Sequence, residues 1–97
     1  MSLSIEQNGT SFRFDGVLNR DTLMLYSPFK QLNAAVGKVQ FDFSGLQTID
    51  TAGLAWLLQQ LAIARSSDVK IELCNVPQQL LSLAEVSAIT ALLPIVE

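Results

Sequence analysis

Histidine is absent from this 97-residue chain, which removes the commonest general base and metal ligand. Cysteine occurs once, as Cys74, so no intrachain disulfide is possible, and such usage suits a reducing compartment. Within the apolar run IELC, Cys74 is expected to be a buried structural thiol. Charge is scarce, at 15% of residues, and the basic residues Arg13, Arg20, Lys30, Lys38, Arg65 and Lys70 form no run. A net charge of −3 argues against nucleic-acid binding, which needs a basic face for the phosphates. The five glycines stand singly, giving neither a phosphate-cradling loop nor GxxxxGKS/T, and no serine sits in a GxSxG elbow. Asp42 and Asp50 are the one conceivable carboxylate pair. Asp42 alternates with Phe41 and Phe43, however, and should point to solvent or to a turn. The sequence therefore predicts a protein that is not an enzyme and that holds no cofactor or metal.

Targeting signals are equally sparse. The start, MSLSIEQNG, has no cationic beginning and no apolar run, so no signal peptide is expected. The longest charge-free stretch, 51–64, is broken by Gln59-Gln60 and is shorter than the ~20 residues of a membrane span. A cytoplasmic protein is the expectation.

What is present is apolar: 49% of the chain, enough for one folded domain over residues 1–97. Leu3 to Gln7 alternates, turns at Asn8-Gly9 and resumes from Ser11, with Phe12 and Phe14 on one side; this is a hairpin signature. Gly16-Val17-Leu18 carries the second strand onward. Asp21 or Thr22 can cap a following helix bearing Leu25, Phe29, Leu32 and Val36. Pro28 lies inside it, so this helix either kinks or restarts with Ser27 as cap. Val39–Phe43 is the next strand, ending at Ser44-Gly45. A loop should then close at Thr48-Ile49-Asp50-Thr51, with a central helix opening at about Ala52-Gly53 and running to Arg65. A strand from Val69 to Cys74, a helix from about Gln78 to Val86, and a tail with a short helical turn and an edge strand complete the chain. The order β-β-α-β-α-β-α, with a possible final β, implies an α/β fold. Its mixed sheet has four to five strands with helices packed on it.

The central helix carries the functional argument. At about 100° per residue, Leu54, Leu57, Leu58 and Leu61 share the face expected to contact the core. Ala52, Trp56, Gln59, Gln60 and Ile63 fall opposite, on a side without charge that holds the only tryptophan. An outward tryptophan among small polar residues is typical of a protein–protein contact. Asp50 and Thr51 have side-chain oxygens suited to capping the helix start. Thr51 is either a cap worth ~1 kcal/mol, or a residue that meets a partner or accepts a phosphate.

The stretch FDFSGLQTIDTAGLAWLL resembles the signature of STAS domains, the family of sulfate transporters and anti-sigma factor antagonists. Asp42, Ser44, Ile49, Asp50, Thr51, Gly53 and Leu54 carry the match. The resemblance implies the STAS fold and a choice between two branches. Anti-sigma factor antagonists bind a serine-kinase anti-sigma factor and carry a phosphorylatable residue just before the motif glycine; here that position is Ala52. The MlaB branch comprises small single-domain subunits that sit on the cytoplasmic ATPase MlaF, within a permease complex moving phospholipids between the membranes of Gram-negative bacteria. Its motif, Asp-Thr-small-Gly-Leu, fits residues 50–54. By this resemblance the chain is a non-enzymatic regulatory subunit, peripheral to the inner membrane through its complex. Asp50, Thr51, Ala52, Gly53, Trp56, Gln59, Gln60 and Ile63 would meet the ATPase, and Thr51 is the candidate phosphorylation site.

Overall fold

The computed structural model describes residues 2–26, 29 and 36–96. Four strands, β1 (Leu3–Asn8), β2 (Ser11–Leu18), β3 (Lys38–Ile49) and β4 (Lys70–Cys74), form one sheet in sequential order. β1 and β2 are an antiparallel hairpin; Gly9 at its turn has φ 63°, in the left-handed region that glycine occupies without strain. β2, β3 and β4 run parallel, as strands joined through crossovers must. Two α-helices are described, α1 (Thr51–Ser66) and α2 (Gln78–Val86). At the end of the chain a 3-10 turn, Thr90–Leu92, leads to a parallel bridge between Ile95 and Leu73. The tail thus adds the expected short turn and edge pairing. Of the helix expected after Asp21, Leu23–Tyr26 form a 3-10 turn, and Phe29 and Val36 belong to no helix; Ser27, Pro28 and Leu32 lie outside the described residues.

The core is built on one face of the sheet. Phe12 and Phe14 of β2, Val39, Phe41 and Phe43 of β3, and Ile71 and Leu73 of β4 are buried, while Arg13, Lys38, Gln40 and Lys70 between them are exposed. That period of two leaves a polar outer face. On it Glu6 stands opposite Arg13, and Arg13 opposite Asp42. Leu54, Trp56, Leu57 and Ala64 of α1, with Leu80 and Ala84 of α2, join the same apolar cluster. Cys74 continues the outward alternation of β4 and is half-buried, not fully enclosed as expected. Burial, with Asp42 and Glu72 nearby, pushes its thiol above the usual range.

β3 departs from the expected strand of five residues followed by a loop. It runs for 12 residues, straight through Ser44-Gly45. Against β2 it takes up two extra residues, because Arg13 and Asp15 face Asp42 and Gly45, and Gly16 and Val17 face Leu46 and Thr48. Each shift is a bulge. The buried positions accordingly change spacing from two (Val39, Phe41, Phe43) to three (Leu46, Ile49). In the sequence this change of period imitates the end of a strand.

Candidate docking junction at the start of α1

The far end of β3 delivers the chain to α1 through Asp50. Its backbone is extended, and its Oδ1 accepts the Gly53 amide at 2.8 Å. The Asp50 carbonyl accepts Leu54 N–H at 3.0 Å, and its own N–H donates to the Leu18 carbonyl at 3.3 Å. Asp50 is therefore the N-cap, anchored on one side to β2 and on the other to the helix. Thr51 is the first helical residue. It is exposed, and its hydroxyl makes no hydrogen bond among the described residues. The division of labour leaves that hydroxyl free at the positive end of a 16-residue helix.

Gly53 has a steric reason to be glycine. A Cβ there would lie 2.5 Å from the Leu18 carbonyl oxygen and 2.9 Å from Ile49 Cγ1. The first turn of α1 thus rests directly on the ends of β2 and β3. A third tie comes from α2: Gln79 Oε1 accepts the Ile49 amide at 2.9 Å. Further back, Asp42 Oδ1 accepts both Ser44 N–H and Asn75 Nδ2–H at 2.9 Å. The Asn75 bond, helped by the Ser44 amide and Arg13, holds the Asp42 carboxyl below its usual range. It also braces Asn75, whose φ of 53° is a left-handed conformation that asparagine tolerates. Asp42 and Ser44 of the motif are accordingly framework, and Asp50, Thr51 and Gly53 form the junction.

The expected outward face of α1 requires correction. Trp56 and Gln60 are each 3% exposed. The indole packs against Phe14 and Phe29, with ring centroids at 6.0 and 5.5 Å, and its Nε1–H donates to the Tyr26 carbonyl at 3.2 Å. Gly53 is buried as well. Leu58 and Leu61, expected in the core, are only half-buried. The buried arc is turned by roughly 75° from the expected one, at about 100° per residue. The helix is apolar almost all round, so its periodicity does not fix its rotation, and the wide aromatic pocket takes the largest side chain. Asp50, Thr51, Gln59 and Ile63 do reach the surface, and Ala52 is half-exposed. Beyond the Asp50 carboxylate, Thr51, Ala52, Gln59 and Ile63 form with Ala55 and Ala62, which were not among the residues expected there, a surface without charge along the outer side of α1.

Two cavities lie elsewhere. One, of about 370 Å³, is bounded by Leu61, Arg65, Lys70 and Leu92. The other, of about 680 Å³, is lined by Cys74, Val76, Leu81 and Ile95. Neither is lined by Asp50 or Thr51. Among the described residues no group of acidic, cysteine or histidine side chains is placed to hold a metal ion. No described helix is long and apolar enough to cross a membrane. A small-molecule site is a concave pocket with converging polar groups; the start of α1 is instead open, with the exposed Asp50 and Thr51 beside small neutral residues.

A family model described as Mlab, STAS domain, matches residues 2–95. No curated protein sequence matches the chain. Among solved structures, a Thermotoga maritima protein assigned as an anti-sigma factor antagonist superposes with a TM-score of 0.78 at 16% identity, covering 98% of this chain and 86% of that one. The anti-sigma factor antagonist SpoIIAA, in its unphosphorylated form, gives 0.67 at 14% identity, covering 98% and 87%. At these identities the likeness speaks for the fold.

Proposed function

The chain belongs to the STAS family, in the group described as Mlab, STAS domain, and on that premise we propose that it is a non-enzymatic regulatory subunit. Its partner is the MlaF-like ATPase of an ABC transporter that carries phospholipid between membranes and maintains outer-membrane lipid asymmetry. The observation that carries this reading is the junction itself. Asp50 does the capping, Thr51 is left exposed with a hydroxyl that makes no hydrogen bond among the described residues, and the neutral surface of α1 continues from it. Docking there acts by population: a domain that binds one arrangement of the ATPase better than another shifts the balance toward it. The domain works from the cytoplasmic side and meets the membrane only through its complex.

The fold likeness to anti-sigma factor antagonists favours a second reading, in which the same junction binds a serine-kinase anti-sigma factor. Against it stands Ala52, which offers no hydroxyl where that branch is phosphorylated. Affinity capture from the native cell with wild type and Thr51→Glu decides between the two. A carboxylate in the first helical turn is compatible with the helix dipole, so the variant keeps its fold. The transporter reading expects an ABC ATPase and its permease with wild type and their loss with Thr51→Glu. Capture of a histidine-kinase-like ATP-binding protein instead overturns it, and mass spectrometry for phosphate on Thr51 then tests the switch.

A further inference from the structure

The side chain of Gln79 is placed oddly for its position. It is the second residue of α2, whose N-cap, Pro77, has no side-chain capping bond. The proline at the N-cap has no backbone N–H, so the return bond by which a side chain near a helix start closes a capping box has no donor here. Gln79 reaches away instead, across 30 positions of sequence, and accepts the Ile49 amide at 2.9 Å. Because that partner is a donor, the atom facing it must be the carboxamide oxygen, and Nε2 faces away. Among the described residues Nε2 makes no hydrogen bond, and Gln79 is exposed.

The bond meets a need of the fold. β4 pairs with β3 only from Lys38 to Asp42, so the bulged half of β3, up to Ile49, has no strand along that edge. Two side-chain contacts bracket it: Asn75, just after β4, bonds Asp42 where the pairing stops, and Gln79 of α2 bonds Ile49 at the far end. The second falls one residue before Asp50. An orphaned Ile49 amide would let the last turn of β3, and the cap that follows it, take up other positions.

We propose that Gln79 is a positioning residue for the docking junction: its oxygen sets the Ile49–Asp50–Thr51 backbone in the geometry a partner meets. The inference rests on the junction being the docking point.

Gln79→Leu keeps the bulk and removes the acceptor, whereas Gln79→Glu keeps an oxygen for the Ile49 amide. Amide exchange read residue by residue is expected to quicken on the order of tenfold at Ile49 in the leucine variant, the loss of about one hydrogen bond. Leu73, bonded to the Pro94 carbonyl, serves as the unchanged reference. Binding to the purified ATP-binding protein recovered with the wild-type domain is measured where every variant is fully folded. It should weaken roughly tenfold for Gln79→Leu and recover most of that with Gln79→Glu. Faster exchange at Ile49 with unchanged affinity makes Gln79 a structural tie only and overturns the proposal. Unchanged exchange removes it as well. A wild-type domain that binds no such protein removes the docking reading and this inference together, whereas equal binding by wild type and Gln79→Leu removes this inference alone.

Discussion

Truncating Trp56 to alanine separates a buried tryptophan from a surface anchor. The indole is 3% exposed, lies against Phe14 and Phe29, and donates one hydrogen bond to the Tyr26 carbonyl. Removing a ring from such a site costs about 3–5 kcal/mol in transfer and cavity terms. A domain of this size is stable by only about 5–15 kcal/mol, so a fifth or more of its stability goes. With a urea m-value of about 2 kcal/mol/M, the midpoint falls by about 2 M. The melting temperature drops by roughly 12–40 °C, at about 4–8 °C per kcal/mol. Urea titration followed by far-UV circular dichroism is the suitable assay, because the variant has lost the only tryptophan fluorophore. Trp56→Phe retains the aromatic packing and loses chiefly the Nε1–H bond, so it should fall between the two, about 1–2 kcal/mol below wild type. A Trp56→Ala protein within about 0.5 kcal/mol of wild type, the range of ordinary surface substitutions, would refute the burial and restore the outward anchor.

Replacing Gly53 by alanine, which in a free helix gains about 1 kcal/mol, should here cost about 1–3 kcal/mol, because the new Cβ meets the Leu18 carbonyl and Ile49; thermal melting reads the sign, and a gain would show that the helix start has room to move. Asp42 supplies a pH dependence. Its folded carboxyl titrates below its ordinary value of 3.8, so it contributes stability that is present above that value and lost as pH falls through the folded pKa. The stability gap between wild type and Asp42→Asn should therefore be constant near neutrality and narrow below about pH 4; a gap independent of pH down to 2 would mean that the Asn75 bond does not favour the charged form.

The elements were legible where sequence carries a local cause. Asn8-Gly9 between alternating runs marks the hairpin, the Leu80/Ala84 spacing marks α2, and Asp50 three residues before Gly53 marks the cap. What the sequence hid is what depends on distant partners. The bulges of β3 are set by its pairing with β2, so the run past Phe43 reads as a loop although it is strand. Gln79 shows nothing in its own neighbourhood, since its partner is Ile49. The rotation of α1 is decided by the pocket between Phe14 and Phe29, which no periodicity within the helix describes.

That rotation changes which residues can carry the proposed contact and leaves α1 an uncharged outer side. A helix whose outer side is turned to water gains solubility from charge there, yet between Thr51 and Ala64 α1 has none. With Trp56 and Gln60 in the core, the outer side consists of Thr51, Ala52, Ala55, Gln59, Ala62 and Ile63. Small side chains let another backbone approach closely, and the one apolar side chain of size, Ile63, lies about three turns from Thr51. Such a surface has no deep anchor, so its affinity must come from fit over a rigid backbone more than from one aromatic plug. Rigidity is what the junction has been given. Asp50 is bonded to Leu18 and Gly53, Gly53 is pressed against β2, and Ile49 is held by α2. A helix start fixed from three sides loses little freedom when a partner covers it, and that is the physical ground of the proposal that a partner meets Thr51.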